Sequence, residues 1–187
     1  ETFEEAGFLL ARNKGDKALV DRERCFLIGA KYRHAVLSEE MTMKDIAREG
    51  QLTLACDQMI PFAHWITPQS SPKRFDTWFY LAKVPKGQIG SHDNSETVDS
   101  LWINPSKALA AARDQLYKIP FATRMNLVKL GNSDDVKQAL EAAKSDQIIT
   151  VEPEIIRGKE SITFRIPLEA GYGIEQETEM NSPVSLP

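Results

Sequence analysis

The chain has 187 residues, 42% of them apolar and 27% charged, as in an ordinary globular protein of one domain with at most a small appendage. Its formal charge of −4 at pH 7 argues against non-specific binding to nucleic acid or to an anionic membrane. Cys25 and Cys56 lack the spacing of a metal site, and the sequence has neither a run of about 18 apolar residues nor a signal-peptide pattern at its observed start. A cytoplasmic protein, or one of an organelle matrix, is expected.

The first predicted element is a short acidic helix. Glu1, Glu4 and Glu5 are spaced so that they share one helix face, and Gly7 is predicted to end the helix. Three carboxylates on one turn repel one another, and a hard divalent cation would relieve that repulsion. The spacing therefore indicates an acidic metal site, and a solvated helix face is the alternative.

Two helices are predicted after this turn. Residues 8–11 form an apolar run typical of a short buried strand, and residues 21–37 have apolar positions at helical spacing. Thr42 and Asp45 have the spacing of a capping box that begins a second, shorter helix. We interpret residues 21–50 as a helical insertion.

An antiparallel pair of strands follows. Residues 59–67 and 74–84 are rich in aromatic and aliphatic side chains and are separated by a Pro- and Ser-containing connector. Residues 101–103 are predicted to form a short strand before a helix that Asn104 caps and Pro105 begins.

The last third of the sequence predicts two more helices and a hairpin. Pro120 opens one helix, and Ser133 caps the next. Residues 148–152 and 161–166 are interpreted as the two strands of a closing hairpin. The polar residues 169–187 are predicted to be a flexible tail.

The acidic helix resembles the second half of the signature sequence of the Nudix hydrolases. The matching positions are Glu1, Glu4, Glu5, Gly7 and Phe8. Thr2 departs from the family pattern, which prefers an aliphatic residue there. The arginine, the earlier glutamate and the glycine loop of the signature would all precede residue 1.

A second series makes the resemblance more specific. HWITP at 64–68 and RFDT at 74–77 are followed by Glu96 in a loop and by Trp102 shortly before the helix at Pro105. This order resembles Nudix proteins akin to mammalian Nudix motif-containing protein 19, a coenzyme A diphosphatase group that also has a helical insertion after the signature.

The resemblance implies an α/β fold, namely the Nudix-type α/β/α sandwich with a mixed sheet. It implies a Nudix domain over residues 1–168, whose first strands would precede residue 1. The implied reaction is hydrolysis of a nucleoside diphosphate linked to another moiety, with coenzyme A or acyl-coenzyme A as the candidate substrate. The implied partner is thus a small nucleotide-type molecule, with no nucleic acid and no membrane, and a homodimer remains open.

The resemblance also implies roles for the acidic residues. Mg²⁺ or Mn²⁺ would be held by Glu4 and Glu5 with help from Glu1, and would neutralise the diphosphate and lower the pKa of a bound water. Either Glu1 or Glu96 would be the general base and hence the catalytic residue.

Arg74 is the predicted substrate-binding residue, because a guanidinium can bind phosphate through two hydrogen bonds. The alternative is a scaffolding role, in which Arg74 pairs with Asp76 or with a signature glutamate. The other conspicuous residues of the second series are interpreted as packing residues. They are Trp65, Trp78 and Trp102, each expected in the core or packed on a strand, whereas His64 is interpreted as a hydrogen-bonded structural histidine.

Two rival functions stay open at this point. One is a Nudix-fold protein that binds nucleotides or a partner without turnover. The other is an α/β interaction module whose acidic helix is only a solvated face.

Overall fold

The computed structural model describes residues 2–91 and 100–180 and shows an α/β protein with a mixed β-sheet. The predicted fold class is therefore confirmed. The chain divides into two compact units, each built from two separate stretches of sequence. Within the described ranges, every helix is too short or too polar to cross a membrane.

The first unit comprises Glu1–Met59 and Ala82–Trp102. Its regular elements are α1 (Thr2–Ala6), β1 (Ala11–Asn13), α2 (Arg22–Leu37), α3 (Met43–Glu49) and β2 (Leu52–Leu54). β1 pairs with β2 in antiparallel orientation, with Ala11 opposite Leu54. Of residues 8–11, which were predicted to form a strand, only Ala11 lies in β1.

Local capping explains where the two insertion helices begin. The Asp21 side chain accepts a hydrogen bond from the Arg24 amide at the start of α2. Thr42 and Asp45 form the predicted capping box at the start of α3, and Gly50 caps its end. The two helices predicted within residues 21–50 are therefore confirmed.

The core of the first unit lies between these helices and the small sheet. Its buried apolar side chains are Phe3, Leu9, Ala11, Val20, Cys25, Ile28, Tyr32, Val36, Ile46 and Leu52. The buried amide of Gln88 joins the second stretch of sequence to this core. Its Oε1 accepts from Leu9 N at 2.9 Å, and its Nε2 donates to the carbonyl oxygens of Leu9 and Val20. A side chain here takes the place of a neighbouring strand, and it satisfies main-chain groups that burial would otherwise leave unpaired.

The second unit comprises Ile60–Leu81 and Ile103–Pro187. Its helices are α4 (Pro105–Arg113), α5 (Phe121–Leu130) and α6 (Val136–Ser145). Its strands are β3 (Ile60–Ile66), β4 (Asp76–Leu81), β5 (Thr150–Val151), β6 (Glu154–Arg157), β7 (Ser161–Arg165) and β8 (Gln176–Met180). The predicted antiparallel pair and the helix at Pro105 are confirmed.

Two three-stranded sheets organise this unit. In the first, β3 lies between β4, which is antiparallel to it, and β5, which is parallel. In the second, β7 lies between β6 and β8 in antiparallel order. The buried core residues of the unit include Trp65, Phe121, Met125 and Val151.

Four sequence predictions are corrected in this region. Residues 101–103 are not a strand, and Asp135 rather than Ser133 caps α6. The closing hairpin pairs β6 with β7, because the predicted first strand instead contributes β5 to the sheet of β3. The predicted flexible tail is wrong through Met180, since β8 is hydrogen-bonded along β7, and residues 181–187 lie outside the described ranges.

Candidate functional site

The acidic helix α1 is fixed to the first unit by one buried side chain. Phe3 is only 5% exposed and belongs to the core, whereas Glu4 and Glu5 lie in the first turn and are half-buried. Gly7 follows the helix with φ of 71°, a conformation that favours glycine, and so ends it as predicted. Glu1 lies outside the described residues.

The carbonyl groups of this short helix all have partners. Gly7 N donates to Phe3 O at 3.2 Å, and Phe8 N donates to Thr2 O at 3.3 Å. Ser91 N donates to Ala6 O at 3.0 Å. The remaining two carbonyls, of Glu4 and Glu5, are bound by a side chain from α2.

That side chain is Arg33, which is half-buried. Its Nε donates to Glu4 O at 2.8 Å, and its Nη2 donates to Glu5 O at 2.9 Å. The same guanidinium donates to Ser91, through Nη1 to Oγ at 2.8 Å and through Nη2 to the main-chain oxygen at 2.7 Å. One planar group thus joins α1, α2 and Ser91.

A cleft of about 460 Å³ lies beside this junction, lined by residues of the first unit. α2 contributes Phe26 and Gly29 to its lining, and Ile89 also lines it. The buried Cys25 thiol lines the cleft and donates to Gly7 O at 3.4 Å. Burial raises the pKa of Cys25, which keeps it a neutral thiol rather than a reactive thiolate.

The predicted metal ligands are only partly within the described residues. Glu4 and Glu5 are adjacent on α1, but Glu1, the third predicted ligand, lies outside. Among residues 2–91 and 100–180, no group of three or more His, Cys, Asp and Glu side chains has the arrangement of a metal site. The two described ligands are nevertheless carboxylates, the hard oxygen donors that Mg²⁺ and Mn²⁺ prefer, so this donor set fits such an ion. Glu96, the second candidate base, also lies outside the described residues.

Arg74 lies in the second unit and makes scaffolding contacts there. Its Nε donates to Thr67 O at 2.8 Å, and its Nη2 forms an ion pair with Glu152 at 2.9 Å. The ion-pair partner of Arg74 among the described residues is therefore Glu152, whereas Asp76 was one of the partners that the sequence had suggested. Its predicted role in substrate binding remains a prediction.

Asp76 instead bonds to His64, which ties three strands together. His64 Nε2 lies 2.6 Å from Asp76 Oδ1, and Nδ1 lies 2.8 Å from Thr150 Oγ1. The ring also stacks on Trp78 with a centroid distance of 4.2 Å. Because both ring nitrogens have partners across β3, β4 and β5, His64 has the structural role that was predicted.

The three tryptophans of the series differ in environment. Trp65 is 4% exposed, and its Nε1 donates to Asn126 Oδ1 and to the Tyr172 oxygen, so the packing prediction is confirmed for it. Trp78 stacks on His64 but is 48% exposed, and Trp102 is 79% exposed. Trp102, expected in the core or packed on a strand, is therefore in neither environment, although its ring contacts Phe8 at a centroid distance of 5.9 Å.

An aromatic cavity of about 310 Å³ lies near Arg74 in the second unit. Phe75, the neighbour of Arg74, and the rings of Phe121 and Phe164 line it. The last two rings stack with a centroid distance of 4.6 Å. Thr67 and Thr77 provide hydroxyl groups on its wall.

Sequence patterns missed Arg33, Gln88 and Ser91. An arginine within an amphipathic helix usually has a solvated head group, and an isolated glutamine or serine in a connector carries no periodic signal. Only their distant partners, 28 or more residues away in sequence, distinguish Arg33 and Gln88 from ordinary surface residues.

The α/β fold and the acidic helix that ends at a left-handed glycine are both features that the resemblance to the Nudix hydrolases implied. A family model described as "NUDT19 Nudix domain" matches residues 1–123, which is more than half of the 187 residues. The chain therefore belongs to the NUDT19 Nudix domain family, and the resemblance found in the sequence is confirmed. No solved structure matches the chain.

Proposed function

We propose that this protein is a divalent-metal-dependent hydrolase that cleaves a nucleoside diphosphate linked to another moiety. The observation that carries the proposal is the family match, which includes the acidic helix with Glu4 and Glu5 side by side. Nudix family membership gives the reaction class, and the carboxylate pair gives ligands of the required chemistry.

Glu4 and Glu5, together with Glu1, would hold Mg²⁺ or Mn²⁺. When bound, the ion would neutralise charge on the diphosphate and lower the pKa of a coordinated water. The proposed general base is Glu1 or Glu96, whichever carboxylate is not fully engaged by the ion. The three signature carboxylates would titrate as a coupled set, so a pH–rate profile would report the set rather than one residue.

Coenzyme A or acyl-coenzyme A is the proposed substrate. Support comes from the family and from the cleft beside the acidic helix, whose α2 wall belongs to the insertion. Phe26 and Ile89 offer apolar surface there, and Gly29 leaves open space, because a Cβ at this position would have no atom within 4 Å. A long, narrow group such as the pantetheine arm suits such a cleft.

The first experiment removes one carboxylate at a time. Glu4→Gln and Glu5→Gln keep the size and the helix preference of each side chain but remove a charged ligand, so kcat/KM should fall by about 100-fold or more. The matched control is Glu23→Gln, which neutralises an exposed acid in the first turn of α2 and should leave the rate unchanged. Wild-type turnover in both test variants would refute the assignment.

The second experiment identifies the substrate. Coenzyme A, ADP-ribose, NADH and dinucleoside polyphosphates are compared at equal concentration, with Mg²⁺ and with Mn²⁺. We expect coenzyme A to be among the best substrates by kcat/KM. If it is not, the coenzyme A proposal fails, and the more general diphosphate hydrolase survives only if another compound is turned over.

Arg74 requires a test that separates binding from scaffolding. Arg74→Lys keeps the charge but loses the two-point geometry that binds phosphate. If Arg74 binds substrate, KM should rise while the urea midpoint of unfolding stays within error. A lowered midpoint with unchanged KM would assign the residue to its contacts with Thr67 and Glu152.

A further inference from the structure

We infer that Arg33 is a positioning residue that sets the geometry of the glutamates proposed to bind the metal ion. The inference rests on the proposed function. Arg33 does so through the main chain, because its guanidinium binds the carbonyl oxygens of Glu4 and Glu5 themselves.

α1 is too short to fix its own orientation. α1 has only five residues, and a helix of little more than one turn has almost no stability of its own. Tertiary contacts must therefore fix its direction and its rotation about its own axis. Phe3 provides one buried apolar anchor, and the amide of Ser91 binds Ala6 O at the last residue of the helix.

Arg33 adds hydrogen bonds at the two residues between these anchors, Glu4 and Glu5. It holds two consecutive carbonyls at 2.8 and 2.9 Å, and it is itself held by Ser91 at 2.7 and 2.8 Å. Because the two carbonyls belong to Glu4 and Glu5, a change at Arg33 moves the Cα atoms from which both carboxylates project. Groups that orient metal ligands in this way typically contribute about 10- to 100-fold to metal affinity.

The geometry requires arginine rather than any cation. Four acceptors are bound by Nε, Nη1 and Nη2 of one rigid plane, which an ammonium group cannot reproduce. A positive charge at the end of α1 would also stabilise the helix dipole, and lysine would keep that effect. Arg33→Lys therefore removes the planar set of guanidinium hydrogen bonds and retains the positive charge.

Arg24 provides a matched control on the same helix. It is also half-buried, and its Nη2 donates at 2.7 Å to Gly50 O, the carbonyl at the end of α3. Arg24→Lys thus breaks a comparable contact between an arginine of α2 and the end of a helix, but the helix is α3, which carries neither glutamate. It reports the general cost of losing such a contact.

The experiment measures Mn²⁺ affinity without substrate, by electron paramagnetic resonance of free Mn²⁺, and the urea midpoint of the metal-free protein. Arg33→Lys should weaken Mn²⁺ binding by about tenfold or more, while Arg24→Lys should leave it within about twofold of wild type. Saturating Mn²⁺ should restore most of the lost rate in Arg33→Lys, because the defect lies in holding the ion. A folded Arg33→Lys protein with wild-type Mn²⁺ affinity would overturn the inference.

Ser91→Ala provides a second variant in case Arg33→Lys does not fold. It removes one acceptor of Arg33 and should weaken Mn²⁺ binding in the same direction by about two- to fivefold. Unchanged affinity in Ser91→Ala, with loss of folding in Arg33→Lys, would assign Arg33 to folding alone and overturn the inference. Absence of Mn²⁺ binding by the wild type would refute the proposed function itself, whereas equal binding by wild type and Arg33→Lys would refute only the positioning role.

Discussion

The phenol of Tyr172 should make the stability of the second unit fall at alkaline pH. The side chain is 4% exposed, and its oxygen accepts from Trp65 Nε1 at 3.0 Å and donates to Asn126 Oδ1 at 3.1 Å. Burial raises the pKa of Tyr172 to about 12, although the hydrogen bond from Trp65 acts in the opposite direction. The perturbation that tests this prediction is Tyr172→Phe, which removes the hydroxyl and keeps the ring.

The sign and size of the effect follow from linkage. The phenol ionises near its ordinary pKa of 10 in the unfolded chain and near 12 in the folded protein, so its stabilising contribution is complete below pH 10. It is lost between pH 10 and 12 at about 1.4 kcal/mol per pH unit, or about 2–3 kcal/mol in all. At neutral pH, Tyr172→Phe should cost about 1–2 kcal/mol, because Trp65 still has Asn126 as an acceptor.

The assay is urea unfolding of both proteins between about pH 8 and 12, which includes the interval between the unfolded and folded pKa values. Near pH 8, Tyr172→Phe should have a lower free energy of unfolding than wild type. Near pH 12, this difference in free energy of unfolding should vanish or reverse. Tyr80→Phe is the control, since that ring is 46% exposed and its replacement should change stability at neutral pH by less than about 0.5 kcal/mol. Parallel pH profiles for wild type and Tyr172→Phe would refute the reasoning.

Two further predictions concern the first unit. Gly90→Ala should destabilise the first unit by about 1–3 kcal/mol, because a Cβ there would lie 2.6 Å from Phe8 Cζ. Gly29→Ala in α2 should stabilise it by about 0.5–1 kcal/mol, because a Cβ there would have no atom within 4 Å. Equal shifts of the thermal midpoint for the two variants would contradict this prediction. The Arg12 guanidinium holds the pKa of Asp57 well below its ordinary value of 3.8, so the contribution of this ion pair is present above that pH and is lost below it. Asp57→Asn should therefore be less stable than wild type at pH 7, and acid titration of both proteins should show the difference shrinking below about pH 4, whereas a difference that persists in acid would contradict the sign.

Local chemistry made much of the fold predictable. The cap of α2, the capping box of α3 and the Pro105 start of α4 each depend on residues within a few positions, so the sequence contains all the necessary information. The glycine that ends α1 is local in the same sense. The family signature located Glu4 and Glu5, which periodicity alone would have left as a charged helix face.

Long-range pairing was not predictable in the same way. Residues 148–152 have the composition of a hairpin strand, but β5 pairs in parallel with β3, about 86 residues earlier in the chain. The Arg33 guanidinium binds the carbonyl oxygens of Glu5 and Glu4, which are 28 and 29 residues away in sequence. The amide of Gln88 binds the main chain of Leu9, 79 residues away. No pattern of propensity or spacing encodes such partners, because they are chosen by tertiary packing.

Each unit is built from two stretches of sequence that alternate along the chain, and this order has a consequence for synthesis on the ribosome. The core of the first unit is completed by Gln88, which is synthesised after residues 60–81 of the second unit. The first unit is therefore still incomplete when residues 60–81 leave the ribosome. β3 and β4 can pair early, but β3 remains an open edge until Thr150 and Val151 arrive to form β5. A nascent chain between these two points exposes an unpaired strand edge, which is the form of a protein most prone to misassociation. Slow translation across residues 82–149 would therefore prolong the exposure of this edge of β3.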